Sequence, residues 1–160
     1  MTHADTSTPT IDWSAPFERL SEGAAFATGE RLVTEADVLA FAELSGDNHP
    51  LHTDAAWAAS GPFGERIAHG LFVISLAAGL VPFDPDRVMA LRGLRDVTFK
   101  RPIRFGDALG VRGTVEELRP VAPEAGLVGL SWSVVDQDDR TACRARVDVL
   151  WSRDDAETRA

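Results

Sequence analysis

Between Thr34 and Gly46 the apolar positions fall at helical spacing, with Val38, Phe41, Ala42 and Ser45 recurring on one side. Thr34 and Asp37 have the spacing of an N-cap and a reciprocating acid, and Gly46 is placed to end the helix. A polar loop follows. Asp54 to Ser60 is short, Ala-rich and predicted helical, and Gly61-Pro62 breaks it. A second long helix is predicted to begin near His69. Leu71, Ile74, Ser75 and Ala78 form one face of it and Phe72, Leu76 and Leu80 another, so burial on all sides is expected. Beyond it the period changes from 3.6 to 2, and segments near 91–100, 107–118, 127–136 and 142–151 read as strands. In the clearest, Cys143, Ala145, Val147, Val149 and Trp151 alternate with Arg144, Arg146 and Asp148, the pattern of a half-buried antiparallel strand. Trp132 and Val134, on a neighbouring alternating strand, could face core or partner. Short connections favour hairpins over helical crossovers, so the fold class is α+β, an antiparallel sheet wrapped on the apolar helix. One folded unit is expected over 17–151, with loose tails at 1–16 and 152–160.

Composition agrees with one soluble domain. The 160 residues are 44% hydrophobic and 26% charged, enough to bury a core. The longest uncharged apolar run, Gly70 to Phe83, has 14 residues, short of the roughly 20 that cross a bilayer. The opening MTHADTSTPTIDWSAP has no basic-then-apolar leader, so a cytoplasmic location is expected. The lone Cys143 sits in an apolar alternating run and reads as a small buried hydrophobe. A net charge of −9 argues against nucleic acid and anionic membrane as partners. One window reverses that sign. Arg87, Arg92, Arg95, Lys100, Arg101, Arg104 and Arg112 stand against only Asp96 and Asp107, leaving +5, either a solvated strand surface or an anion-binding patch.

The chemistry concentrates in Gly46-Asp-Asn-His-Pro-Leu-His-Thr-Asp54, which packs carboxylates and imidazoles into one interhelical loop. If Pro50 turns the chain, Asp47 and His52 converge and can hold a water, one group accepting its proton while the other donates to the substrate. The alternative is that Asp47 caps the following turn and His52 packs structurally. His49, His52, Asp54 and His69 also offer nitrogen and oxygen ligands, but no recognised zinc spacing completes them, and no metal is expected. Ser45 lacks a nucleophile elbow. Ala68-His69-Gly70 opens the apolar helix, where unpaired backbone N–H groups suit a developing oxyanion; Gly70 is either a site of close ligand approach or a packing glycine.

These motifs, in this order, resemble the MaoC-like dehydratases, the (R)-specific enoyl-CoA hydratase group with a hot-dog fold. The resemblance rests on Gly46-Asp47-x-x-Pro50-Leu51-His52-x-Asp54, then Phe63-Gly64-x-x-Ile67-Ala68-His69-Gly70, then Val97-Thr98-Phe99-Lys100-x-Pro102 with Phe105-Gly106-Asp107. It implies a catalytic Asp47–His52 pair, with the Gly70 N–H polarising a thioester carbonyl. Asn48, His49, Pro50 and His69 are then expected beside the substrate. The reaction implied is water addition to a trans-2-enoyl thioester, or its reversal, with no metal or redox cofactor. Coenzyme A or phosphopantetheine enters as part of the substrate, and the basic window offers Arg92, Lys100 and Arg101 to its phosphates. The family pattern has Asn two residues after the catalytic Asp, where this chain has His49. A single hot-dog unit further implies a homodimer or a complementary hot-dog partner. A hot-dog thioesterase and a noncatalytic acyl-binding subunit are the alternative readings.

Overall fold

The computed structural model describes residues 8–154. A 3-10 turn at Phe17–Arg19 precedes two short strands, β1 (Ala25–Ala27) and β2 (Arg31–Leu32). Helices α1 (Glu35–Ser45), α2 (Pro50–Thr53), α3 (Ala55–Ala59) and α4 (Gly70–Leu80) follow. Four long strands complete the chain: β3 (Val88–Phe99), β4 (Ala108–Pro120), β5 (Ala125–Val135) and β6 (Thr141–Ser152). The sheet runs β1-β4-β5-β6-β3, with β2 also on β4, and every strand pairing is antiparallel. This is the α+β layout that the change of period predicts.

Local chemistry sets the helix limits. The Asp37 N–H donates to Thr34 Oγ1 and the Thr34 N–H to Asp37 Oδ2, both at 3.1 Å, closing the capping box. Gly46 ends α1 with φ 78°, a left-handed conformation that costs glycine nothing. α4 lays Phe72, Val73, Ile74, Leu76 and Ala77 against the sheet, whose inner face supplies Val111, Val128, Leu130, Val147, Val149 and Trp151. Trp132 and Val134 face this core.

Three expectations are corrected. α4 is not buried all round, because the sheet covers only one side of it; Leu71 is 68% exposed, and Ser75 and Ala78 are exposed too. β3 does not alternate between core and solvent. Among the described residues it is an edge strand bonded only to β6, and Met89, Leu91, Leu94, Val97 and Phe99 all remain exposed. The segment 8–16 is not loose: Ile11 and Ala15 are buried, and backbone hydrogen bonds join Ile11 and Pro9 to Ala25. Trp13 stacks on Trp151 at 6.0 Å and meets Phe26 edge-on at 5.2 Å. At the other end Ser152 belongs to β6, Arg153 pairs with Glu18 at 2.7 Å and Asp154 with Arg87 at 3.1 Å. Residues 1–7 and 155–160 lie outside the described residues. Among the described residues no helix is long and apolar enough to cross a membrane.

Candidate active site

Asp47 follows the left-handed Gly46, and its position is fixed from both sides. Its N–H donates to Ser45 Oγ at 3.2 Å, and its Oδ1 accepts from the His49 N–H at 3.3 Å. Three residues later α2 starts with Pro50 at its first position, where a missing N–H costs no hydrogen bond. His49 is the N-cap, its Nδ1 accepting from the Leu51 N–H at 3.1 Å, and its ring lies edge-on to Trp57 at 5.3 Å. Its side chain therefore does the capping work that a short amide does elsewhere. The one turn of α2 swings His52 back toward Asp47, and the Ile67 N–H ties the turn down by donating to the Leu51 carbonyl at 3.3 Å.

His52 Nδ1 donates to the Ile67 carbonyl at 2.7 Å, which fixes the tautomer and leaves the Nε2 lone pair free. Burial lowers the His52 pKa below its ordinary value, more than the Ile67 hydrogen bond and the Asp47 charge raise it, so the ring is neutral at pH 7. His69 is 2% exposed and packs its ring on that of His52, with centroids 3.7 Å apart. Its Nε2 donates to the Asp47 carbonyl at 2.9 Å, and its Nδ1 is buried with no partner among the described residues. One ligand atom from each of Asp47, His52 and His69 lies within 4.8 Å of the others, a geometry able to hold a water or a metal ion. His49 and Asp54 are not in that cluster. Asp54 caps α3, accepting from the Trp57 N–H at 3.0 Å.

Asp47, His52, His69 and Gly70 line one pocket of about 460 Å³, walled by Leu51, Phe63, Val73, Phe99 and Ile103. No side chain caps α4, so the first-turn N–H groups at Gly70 have no acceptor within the helix. A Cβ on Gly70 would stand 2.7 Å from the Phe99 ring, so the bareness of this glycine lets Phe99 pack against the start of α4.

The remaining expected residues divide. Lys100 and Arg101 line the pocket. Asn48, His49 and Pro50 do not, and instead build the turn that aims Asp47 and His52. Arg92 lies on β3 and lines neither this pocket nor the second cleft of the molecule. Within the basic window, Arg87, Arg95, Arg104 and Arg112 are paired with Asp154, Asp148, Glu65 and Asp139. Arg92, Lys100 and Arg101 have no such partner among the described residues. The apolar walls of the pocket, Phe99 and Phe63 among them, were left out of the site by sequence reasoning; for Phe99, its place beside Lys100 at the end of a strand was the available signal.

Comparison with known proteins converges on one family. The family model described as MaoC like domain matches residues 20–134. Protein MaoC of Klebsiella aerogenes is 43% identical over 99 residues, 61% of this chain and 30% of that protein. An (R)-specific enoyl-CoA hydratase of Aeromonas caviae is 39% identical over 93 residues, 58% of this chain and 69% of that one. The chain thus matches under a third of the length of Protein MaoC. Among solved structures, one described as monoamine oxidase regulatory protein from Archaeoglobus fulgius superposes with TM-score 0.83 at 32% identity, covering 88% of this chain and 95% of that one. The chain belongs to the MaoC-like dehydratase family, and its sheet wrapped on α4 is a hot-dog fold.

Proposed function

We propose that the chain adds water across a trans-2-enoyl thioester to give the (R)-3-hydroxyacyl thioester, or removes it in the reverse direction. One observation carries this reading: a carboxylate, a neutral imidazole with a free Nε2 and an uncapped helix start open on the same pocket. The chemistry needs those three elements. A thioester carbonyl accepting from the Gly70 N–H draws electrons from the double bond and makes Cβ electrophilic. His52 and Asp47 hold a water and take its proton as its oxygen bonds to Cβ, and the same dyad returns a proton to Cα. The likeness to an (R)-specific enoyl-CoA hydratase supports the substrate class. Coenzyme A or phosphopantetheine is then part of the substrate, and the unpaired Lys100 and Arg101 at the pocket suit its phosphates.

The reading includes a second hot-dog subunit, either another copy or a homologue. β3 has a free edge and exposed apolar side chains, and Phe99 and Lys100 at its end line the pocket, so a strand added to this edge would lie beside the site.

The test is loss of enoyl-thioester absorbance when a short trans-2-enoyl-CoA is added, with free thiol monitored. Turnover without thiol release, reduced about 10²- to 10⁴-fold in Asp47→Asn and His52→Gln, is the expected result. Undiminished turnover in folded Asp47→Asn would overturn the dyad, and thiol release would indicate a thioesterase. Binding without turnover, with activity restored by a co-purifying homologue, would indicate a noncatalytic subunit.

A further inference from the structure

A second cleft, of about 490 Å³, lies on the outer face of the sheet, across the strands from the pocket already described. Its floor is β5 and β6, where Ser131, Ser133, Arg144 and Arg146 point away from the core, and Asp96, Thr98 and Glu116 stand at its sides. Arg146 is held by Glu116 at 3.2 Å and by Asp96 at 3.6 Å, so both acids of the cleft are committed to one cation. Arg144 has no carboxylate within ion-pair distance among the described residues, and neither does Lys100. Most other arginines of this acidic chain are paired. Arg144 sits between Thr98 on one neighbouring strand and Ser133 on the other, so a hydroxyl-bearing residue stands on each side of it in the sheet.

Lys100 lines both cavities. It is the first residue after β3, and its N–H donates to the carbonyl of Ala142, itself a lining residue of the catalytic pocket, two positions before Arg144. Lys100 therefore borders both cavities at this end of the sheet. Two unneutralised cations and neighbouring hydroxyl-bearing residues, in a protein of net charge −9, form a local site for a phosphate group.

We propose that this cleft binds a phosphate of the thioester's carrier, with Arg144 and Lys100 as its ligands, while the acyl end occupies the pocket at Gly70. The inference rests on the thioester reading above and adds to it Arg144, which the basic window of the sequence does not contain. Arg144 is a binding residue only. It touches no reacting atom.

The experiment compares three enoyl thioesters of one acyl group, carried on pantetheine, on 4′-phosphopantetheine and on coenzyme A. In the wild type kcat/KM rises when phosphates are present, and in Arg144→Ala that advantage falls about tenfold, the scale of one charge-assisted hydrogen bond, with partial recovery in Arg144→Lys. A penalty already seen with phosphopantetheine places the phosphate of the arm in the cleft; one seen only with coenzyme A places a nucleotide phosphate there. A penalty of equal size for all three carriers, or none, overturns the site. Calorimetric binding of free coenzyme A provides a readout independent of turnover. Binding weakened by Arg144→Ala in a chain that hydrates nothing would leave the cleft standing and remove the hydratase reading. Hydration with no Arg144 effect would remove the cleft alone.

Discussion

The imidazole of His69 lies against that of His52, ring centroids 3.7 Å apart and planes inclined by 27°. The same ring donates from Nε2 to the Asp47 carbonyl. One buried histidine thus touches both members of the proposed dyad, one through its face and the other through its edge, which makes it a positioning residue.

His69→Phe keeps a flat ring against His52 and removes the donor to Asp47, whereas His69→Gln keeps a donor and removes the stack. Each is expected to lower kcat/KM by about tenfold, the scale of one buried hydrogen bond lost. His69 is also one of the neighbours that lower the His52 pKa. The acid limb of the rate profile is therefore expected to move upward in His69→Phe, and an unmoved limb would mean that the ring only fills space.

His52 sets a pH dependence of definite sign. Burial keeps its pKa below 6.5 in the folded protein, so activity is expected to be level above pH 7 and to fall on the acid side of 6.5 as the base is protonated. Stability follows the same direction. Between the folded pKa and 6.5 the unfolded chain binds more protons, so this contribution is complete above 6.5 and is lost as pH falls toward the folded value. Denaturant midpoints from pH 5 to 8, in wild type and His52→Gln, measure it; the variant should show the shallower acid decline.

Gly70→Ala separates packing from catalysis. The new Cβ would meet the Phe99 ring at 2.7 Å, but that ring is half-exposed at the end of an edge strand and can turn aside. A stability loss of about 1 kcal/mol with at least a tenfold fall in kcat is expected, because both the N–H and the pocket wall move. Adding Phe99→Leu should restore the melting temperature more fully than turnover.

Most of the fold could be read from the sequence because its signals are local. The Thr34–Asp37 box, the Gly46 stop and the β6 alternation each depend on near neighbours, and the three motifs lie within two stretches of chain. The long-range features were not readable. Whether α4 is covered on one side or all round depends on the reach of the sheet, and β3 looks like any half-buried strand until its place at the edge is known. His49 is similar: the motif suggests a site residue, while in the folded chain it is a cap, a role that depends on where the Leu51 N–H points. The free cations Lys100 and Arg144 emerge only after their neighbours are seen to be paired.

Cys143 is buried in β6 with its thiol pushed up to about 11 by desolvation. At pH 7 only about one molecule in 10⁴ carries the thiolate, the reactive form. Thiol reagents should label the native protein hardly at all within minutes and label it fully in denaturant, as intact mass would show; rapid native labelling would mean that β6 opens readily.

The segment 8–16 is bound to both the start and the end of the sheet. Trp151 is completely buried, stacks on Trp13 and donates from Nε1 to the Ala15 carbonyl at 2.8 Å. That bond joins the end of the sheet to the start of the folded unit, and it lies in the same cluster as Phe26 and Phe83. Trp151→Phe retains an aromatic ring but leaves the Ala15 carbonyl without its donor, at a cost of about 1–3 kcal/mol. Trp13→Ala removes the ring that the segment contributes, at a cost of about 3–5 kcal/mol. Both variants should show faster amide exchange at Ile11 and Ala25, whose backbone groups are hydrogen-bonded to one another and to Pro9. Exchange at Lys100, bonded at the far end of the sheet to Ala142, should change less. Equal acceleration at both ends would mean that the segment is an integral part of one cooperative unit, and no acceleration at Ile11 would mean that its packing contributes nothing to order there.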